Sequence, residues 1–271
     1  TVALTGSNTT NLLEDEVIAL WDSAGMAVRP ANAVKVSARH ASTIDSLAGN
    51  LAGSVGVSAG AALAVNRIGT QTLSTIKGNS GVYSRDTHVD AESDAQINTV
   101  AVGMAAGMNG AQGSVAVSVI DSDTRALMGG DNAQLTNVAA TGTIAVTAHS
   151  RDRIKALAGT ASLGGLGVGL GGGIVTNIIS SDTVAGVSGS NTHVTARGQG
   201  NGITVKENDL ASNPDLSQVT ELSNQVLTGA TLKTRTHKGV AVQATSIQQI
   251  GALTSVASGG AAGAAGRRNP L

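Results

Sequence analysis

The run LAGNLAGSVGVSAGAALAVN at residues 47–66 indicates the fold class, because its side chains alternate with a period of two. The odd positions carry most of the larger aliphatic side chains, such as Leu51, Val55 and Leu63, and the even positions carry mainly Ala, Ser or Gly. Successive side chains of a strand point to opposite faces, so the pattern predicts a β-strand. Glycine within a helix would cost about 1 kcal/mol relative to alanine, and this run has several.

The alternation is between aliphatic and very small side chains, not between aliphatic and charged ones. Similar uncharged, Gly-rich runs occupy residues 100–120, 157–179 and 253–266. Both faces of such strands are therefore predicted to be covered. The face of Gly and Ala suits either the close approach of a neighbouring sheet or second molecule, or a narrow solenoid interior, and the sequence leaves both open.

A four-position signature recurs four times along the chain. It consists of Val-x-Ala, an aliphatic residue eight positions after the Val and another three positions later, and the copies start 53, 57 and 96 residues apart. Its members, in chain order, are Val36, Ala38, Ile44 and Leu47; Val89, Ala91, Ile97 and Val100; Val146, Ala148, Ile154 and Leu157; and Val242, Ala244, Ile250 and Leu253. The last interval contains an insertion.

A second signature closes the first three units. It consists of an Ile, a Thr four positions later and a Gly ten positions later, with Ile and Gly at Ile68, Ile120 and Ile179, and at Gly78, Gly130 and Gly189. Fixed spacing of this kind is typical of stacked repeats. The sequence therefore predicts an all-β fold, a parallel β-solenoid (β-helix) built from repeats of about 55 residues, in which the two signatures form structural ladders.

The predicted organisation is one solenoid segment over residues 1–271. A lead-in covers 1–32, the repeats cover 33–85, 86–142, 143–205 and a truncated 239–271, and an insertion covers 206–238. Within the insertion, Asn213-Pro214 predicts an N-cap with Pro at the first helical position, and a short amphipathic helix follows with Leu216, Val219, Leu222 (or Ser223) and Val226 on one face. Residues 12–22, which include the single Trp, fit either a short helix or a buried strand.

Composition excludes several classes of function. The chain has 36 Gly, one Trp, one Tyr, no Phe and no Cys, so small and aliphatic residues must form its core, and thiol catalysis and thiolate metal sites are excluded. Seventeen basic and eighteen acidic residues balance, which gives no reason to expect a nucleic-acid partner. The absence of Cys does not by itself fix the compartment, but large exported bacterial chains commonly lack it, and we expect a secreted protein on the bacterial cell surface. No signal-like segment opens the chain, and we interpret it as a piece of a longer one.

No arrangement of polar residues predicts a catalytic, cofactor-binding or metal site. The five His residues have no ligand spacing, and the match of Gly167, Gly169 and Gly172 to a dinucleotide fingerprint lacks a βαβ context. The segment Gly129–Asn132 resembles a single copy of a calcium-binding repeat that requires tandem copies. Three carboxylates near the ends of the repeats could instead seed a polysaccharide-active site, although a turn-stabilising role explains them equally well: Asp121, Asp123 and Asp182.

The chain resembles the repeats of large bacterial filamentous adhesins, in particular the leukotoxin-type filamentous adhesin family and related type V (autotransporter or two-partner) passengers. The resemblance covers roughly residues 33–205 and 239–266. The residues that carry it are Ile144-Ala145 followed by Val-Thr-Ala, the Gly-rich run 163–179, Asn177-Ile178-Ile179 followed by Ser-Asp-Thr at 181–183, and the hexapeptide at 191–196. It implies a parallel β-solenoid stalk exported across a Gram-negative outer membrane, and the insertion departs from it.

These observations predict a structural and adhesive segment, not an enzyme, that attaches cells or surfaces through many weak contacts with surface or matrix ligands. No cofactor, small-molecule substrate or nucleic acid is expected. One alternative is a self-assembling extracellular filament subunit of a biofilm matrix, which would stack its first coil on its last. Another is a β-helix enzyme that acts on polysaccharides.

Overall fold

The structure is a computed structural model that describes residues 1–22, 27–29, 32–78, 81–130, 135–208 and 232–265. Every regular element in these ranges is a strand, which confirms the all-β prediction there. The strands are β1 (Val2–Asp22), β2 (Ala27–Val28), β3 (Ala33–Gly53), β4 (Val57–Lys77), β5 (Gly81–Ser84), β6 (Asp86–Gly107), β7 (Asn109–Gly129), β8 (Thr136–Ala140), β9 (Ile144–Ser188), β10 (Thr192–Ala196), β11 (Ile203–Asn208), β12 (Leu232–His237) and β13 (Val240–Ala265).

The long strands form two parallel groups. Group 1 contains β3, β6, the first half of β9 and β13, and group 2 contains β1, β4, β7 and the second half of β9. Because β9 continues without a break from Ile144 to Ser188, it joins the two groups into one seven-stranded sheet. The register places residues 53 or 57 positions apart beside each other in group 1, as for Val36, Val89 and Val146.

A third, shorter parallel sheet is formed by the strands that follow each group 2 strand in the chain. It contains β2, β5, β8 and β10. The chain thus passes through group 1, group 2 and the short sheet before it returns beside its earlier path, and we call each such passage a circuit. This arrangement of parallel strands fits a β-solenoid in outline.

Core side chains become smaller with distance from the short sheet. Near that sheet the interior contains Val, Ile and Met side chains, and Trp21 packs against them. The middle contains isoleucines of both long groups, including Ile97 and Ile120. In the far part the buried hydrophobic side chains are all alanines, and they lie among buried polar side chains such as Ser58 and Ser114. The interior therefore accommodates large side chains at one end and only small ones at the other, as close packing requires.

The structure resolves the N-terminal alternatives in favour of a strand. Residues 12–22 belong to β1, which pairs with β4 from Val2 to Asp22. The predicted helix that begins at Asn213 lies outside the described residues. Those on either side of it form an antiparallel hairpin of β11 and β12, which begins at Ile203, three residues before the predicted start of the insertion.

Removing residues 209–231 should leave the fold intact. Asn208 and Leu232 are paired across the hairpin, so an Asn-Gly bridge can join them in a tight turn. We expect a β-rich circular dichroism spectrum and a free energy of unfolding within about 1 kcal/mol of the parent chain, because loop length has a weak effect on stability. A longer deletion of 204–237 should be clearly less stable, because it also removes Val205, which is buried. An aggregated or non-cooperative product of the shorter deletion would show that the removed residues belong to the core.

Candidate functional site

Three members of each first-signature set lie on the inward face of group 1. Strand pairing places Val36, Val89, Val146 and Val242 beside one another, and likewise Ile44, Ile97, Ile154 and Ile250. The two rows are buried in the first three circuits, but Val242 and Ile250 are 47% and 50% exposed. Their exposure follows from the position of β13, which no described group 2 strand faces.

The fourth signature position forms a row on the outer face. Pairing aligns Leu47, Val100, Leu157 and Leu253, but Leu47 is 69% exposed whereas Ile44 is buried. The reason is parity: Leu47 is three residues from Ile44, and residues an odd number apart point to opposite faces of a strand.

The second signature lies on the inward face of group 2. Ile68, Ile120 and Ile179 are paired in register with Leu13 and pack against the row of Ile44. Of the closing glycines, Gly78 and Gly189 have positive φ values of 80° and 98°. In the second circuit the positive φ of 97° belongs to Gly129, the residue before the signature glycine Gly130. A side chain at Gly129 would collide with the carbonyl oxygen of Ser188.

The small face of the Gly-rich runs lines the interior between the two long groups. Ala48, Ala52, Ala62, Ala64, Ala101, Ala105, Ala116 and Ala158 are all buried. The larger aliphatic side chains therefore point outward, and thirteen exposed ones lie in and near the turns between the two long groups: Leu47, Leu51, Val55, Val57, Leu63, Val102, Met104, Met108, Leu163, Leu166, Val168, Leu170 and Ile174. We call these thirteen residues the aliphatic edge. An exposed apolar surface of this extent usually marks an interaction site.

A carboxyl group is buried among serines in the middle of the interior. Asp152 has no exposed surface, and its Oδ2 accepts hydrogen bonds from Ser122 (2.9 Å) and Ser150 (2.8 Å). Its Oδ1 has no partner. Burial raises the pKa of Asp152, the serine hydrogen bonds oppose this, and the negative charge of Asp94 adds to it. No motif in the sequence points to Asp152, although its even spacing from Ile154 indicates the inward face.

A second polar cluster lies on the outer face of group 1, where the hairpin meets it. Asp90 accepts a hydrogen bond from Thr147 (2.8 Å), which also contacts His88 (2.9 Å). Burial lowers the pKa of His88 and of His149. Burial alone would raise the pKa of Asp90, but Thr147, His88 and Lys35 lower it overall.

The hairpin is attached to this cluster through charge. The ammonium group of Lys206 on β11 donates to the carboxylate of Glu92 on β6. Glu207 of the same strand contacts His237 of β12 at 2.6 Å. Because the imidazoles of His88 and His149 are held in the neutral form, protonating them reduces stability as the pH falls below about 6.5. The cluster therefore works as a structural attachment at neutral pH.

The carboxylates considered for polysaccharide chemistry lie on the outer face of group 2. Asp123 and Asp182 are adjacent in register, and the guanidinium of Arg125 bonds to both, at 2.7 Å and 3.4 Å. Asp121 lies 3.8 Å from Arg67. The glycines of the dinucleotide-like match lie within strand β9. Of the calcium-like segment, Asp131 and Asn132 lie outside the described residues.

The surface concavities of the described ranges include three with volumes of about 620, 540 and 430 Å³. The first of these lies on the short sheet, where Arg29 stacks over Tyr83 with 5.0 Å between guanidinium and ring centre. No set of three or more His, Asp or Glu in the described ranges is arranged to hold a metal ion. Among the same residues, no helix has the length and apolar character needed to cross a membrane.

The candidate site therefore consists of rows of side chains that repeat from circuit to circuit on an extended outer surface. No family model matches the chain, and no curated protein or solved structure is significantly similar to it.

Proposed function

We propose that the chain is a structural and adhesive segment of a secreted, cell-surface filamentous adhesin of Gram-negative bacteria. In this proposal the fold is a parallel β-solenoid whose repeat of about 55 residues is one circuit. Its task is to attach cells or surfaces through many weak contacts, and it performs no catalysis. The ligands are surface or matrix molecules.

The row structure of the outer surface supports this proposal. Side chains of neighbouring circuits bond to each other along the rows, as Asn98 does to Asp45 (2.7 Å) and Ser37 to Asp90 (3.3 Å). Each circuit therefore offers a similar strip of polar groups at a spacing of about 4.8 Å. Such a surface forms many equivalent weak contacts with an extended partner but buries little of a small ligand.

The proposal is tested by comparing one copy of the chain with a fusion of three copies in binding to bacterial or host-cell surfaces. One copy should bind weakly, and the fusion should bind at least about 100-fold more tightly, because linked sites raise the effective concentration. Three unlinked copies at the same total concentration are the matched control and should behave like one. A single copy that binds a small sugar tightly with one-to-one stoichiometry would contradict the proposal.

A second candidate function, a self-assembling filament subunit, is favoured by the two end faces. Among the described strands, β1 lies in group 2 without a group 1 strand in its circuit. Strand β13 lies in group 1, and only its last four residues, which pair with Val168–Gly171, reach the group 2 side of its circuit. Placed head to tail, β13 of one copy and β1 of the next would complete one circuit. The register would continue, with Val242 beside Val36 and Ile250 beside Ile44. In a longer chain, a neighbouring circuit of that chain would occupy the same faces.

Electron microscopy of the isolated chain tests this candidate. We expect fibres whose strands run across the axis at a spacing of about 4.8 Å. Ile250→Glu would place a charge in the completed circuit and should abolish them. Gln249→Glu, which puts the same charge on the outer face of β13, should leave the fibres unchanged. Fibres formed equally by both variants would show that the ends do not stack in this way.

A further inference from the structure

The aliphatic edge is a continuous apolar surface that crosses three circuits. Its most exposed members are Val55 and Leu166, each 81% exposed, followed by Leu47 and Leu51 at 69%, Leu163 at 58% and Met104 at 54%. No Asp, Glu, Lys, Arg or His occurs in residues 46–66, 99–120 or 157–179, so no charge interrupts it. The edge extends over the outer faces of both long groups and the turns between them.

The fold itself does not require these side chains. The interior at this end is filled by buried alanines on the opposite faces of the same strands. A polar residue at an outward position would therefore leave the core unchanged. Because the exposed aliphatic groups remain in water when the chain is alone, their presence across successive circuits indicates a partner.

The alternation of leucine and glycine on the aliphatic edge is complementary in shape to the same edge of a second copy. On β3 the outward residues read Leu47, Gly49, Leu51 and Gly53, so ridges alternate with notches. A Cβ built at Gly53 would meet nothing within 4 Å, and the same holds for Gly113 and Gly172 on group 2. Leucines of one copy can enter the notches of another, as identical strands do in dry, interdigitated sheet interfaces. Two uncharged edges also meet without electrostatic repulsion.

A lipid surface is a poorer match for this edge. Proteins that rest in the membrane interface anchor themselves with Trp and Tyr at the headgroup level. The single Trp and the single Tyr of this chain lie at the other side of each circuit, where Trp21 packs near the short sheet and Tyr83 belongs to it. The turns of the edge also carry the polar side chains of Ser54 and Asn109, which insertion into the hydrocarbon would remove from water.

We propose that the aliphatic edge binds the same edge of a second copy, so that two solenoids lie side by side. This contact is distinct from head-to-tail stacking, because it uses the outer surface and not the open ends. It is independent of the adhesive function, since it requires no ligand.

The experiment uses the full chain carrying Ile250→Glu, which removes end stacking. Sedimentation equilibrium should show a monomer–dimer equilibrium, and the added pair Leu51→Asn and Leu166→Asn should lower its association constant at least about 100-fold, since each buried leucine contributes more than tenfold. Leu135→Asn is the matched control. It is 47% exposed, lies outside the edge, and should leave the constant unchanged. Circular dichroism of each variant verifies the fold.

Cross-linking identifies the contact directly, because the chain contains no Cys. Val55→Cys should form a disulfide-linked dimer under mild oxidation, and Leu135→Cys should not. Incubation with phosphatidylcholine–phosphatidylglycerol vesicles should leave the protein in the unbound fraction. A monomer at all concentrations, equal association of the edge and control variants, or flotation with vesicles without Val55 cross-linking would each overturn the proposal.

Discussion

Replacing Ile97 with Asp is expected to lower the free energy of unfolding by at least about 4 kcal/mol, because it removes a core side chain and buries a charge. Ile97 has no exposed surface and lies between Ile44 and Ile154 in the middle of the interior. Facing residues such as Ile120 offer the new carboxylate no partner. Urea denaturation followed by circular dichroism measures the change.

Val102→Asp provides the matched control, since it introduces the same charge on the same strand. Val102 points outward and is 36% exposed, so its replacement should change stability by less than about 1 kcal/mol. Similar destabilisation by the two substitutions would mean that the inward and outward faces of β6 are assigned incorrectly.

Asp152→Asn is expected to stabilise the protein at neutral pH by about 1–3 kcal/mol, because it removes the cost of a buried acidic group. Ser122 and Ser150 can still donate to an amide oxygen at the position of Oδ2, and the amide NH2 takes the position of Oδ1, which has no partner in the parent protein either. The substitution is nearly isosteric and leaves no cavity.

The pH dependence of this stability difference is a more specific test than its size at neutral pH. The pKa of Asp152 is raised in the folded state, so the folded protein holds this proton more tightly than the unfolded chain. The resulting stabilisation is complete below the unfolded pKa of about 3.9 and is lost as the pH rises through the folded pKa. The stability difference between Asp152→Asn and the parent should therefore be near zero at pH 3.5 and grow toward pH 7.

Taking the difference between the two proteins cancels the contribution of His88 and His149, which is the same in both. Asp121→Asn alters an exposed carboxylate and is the control, for which the difference should stay small at every pH. A constant difference for Asp152→Asn between pH 3.5 and 7 would show that this carboxyl is not buried in the folded protein.

The formation of strands and the spacing at which they repeat could be predicted from the sequence, because period-two alternation and a fixed repeat are local signals. It was harder to predict which face of each strand points inward. The alternation at residues 47–66 shows two faces but does not say which one points inward, and large aliphatic residues would ordinarily be assigned to the core. The deciding signal is parity along β3: Val36, Ala38 and Ile44 share the face of Ala48 and Ala52, whereas Leu47 and Leu51 have the other.

The polar sites could not be predicted, because they depend on register between circuits. Ser122 and Asp152 are 30 residues apart in the chain, and only the packing of group 2 against group 1 brings their oxygens within 2.9 Å. The cluster around His88 likewise needs the offset of 57 between β6 and β9. The glycine with positive φ in the second circuit is Gly129, next to the signature Gly130, and two adjacent glycines give the sequence no means of choosing between them.

The stacking of strands across the long axis has a mechanical consequence. Tension applied along that axis pulls each terminal strand away from its neighbour, so the backbone hydrogen bonds of a ladder are loaded one after another instead of all together. Each step opens at low force and releases about one circuit of chain. Detaching β3 from β6 frees 53 residues between paired positions, which extend by up to roughly 180 Å. A tether made of such circuits would lengthen stepwise under flow while its remaining rows stay attached.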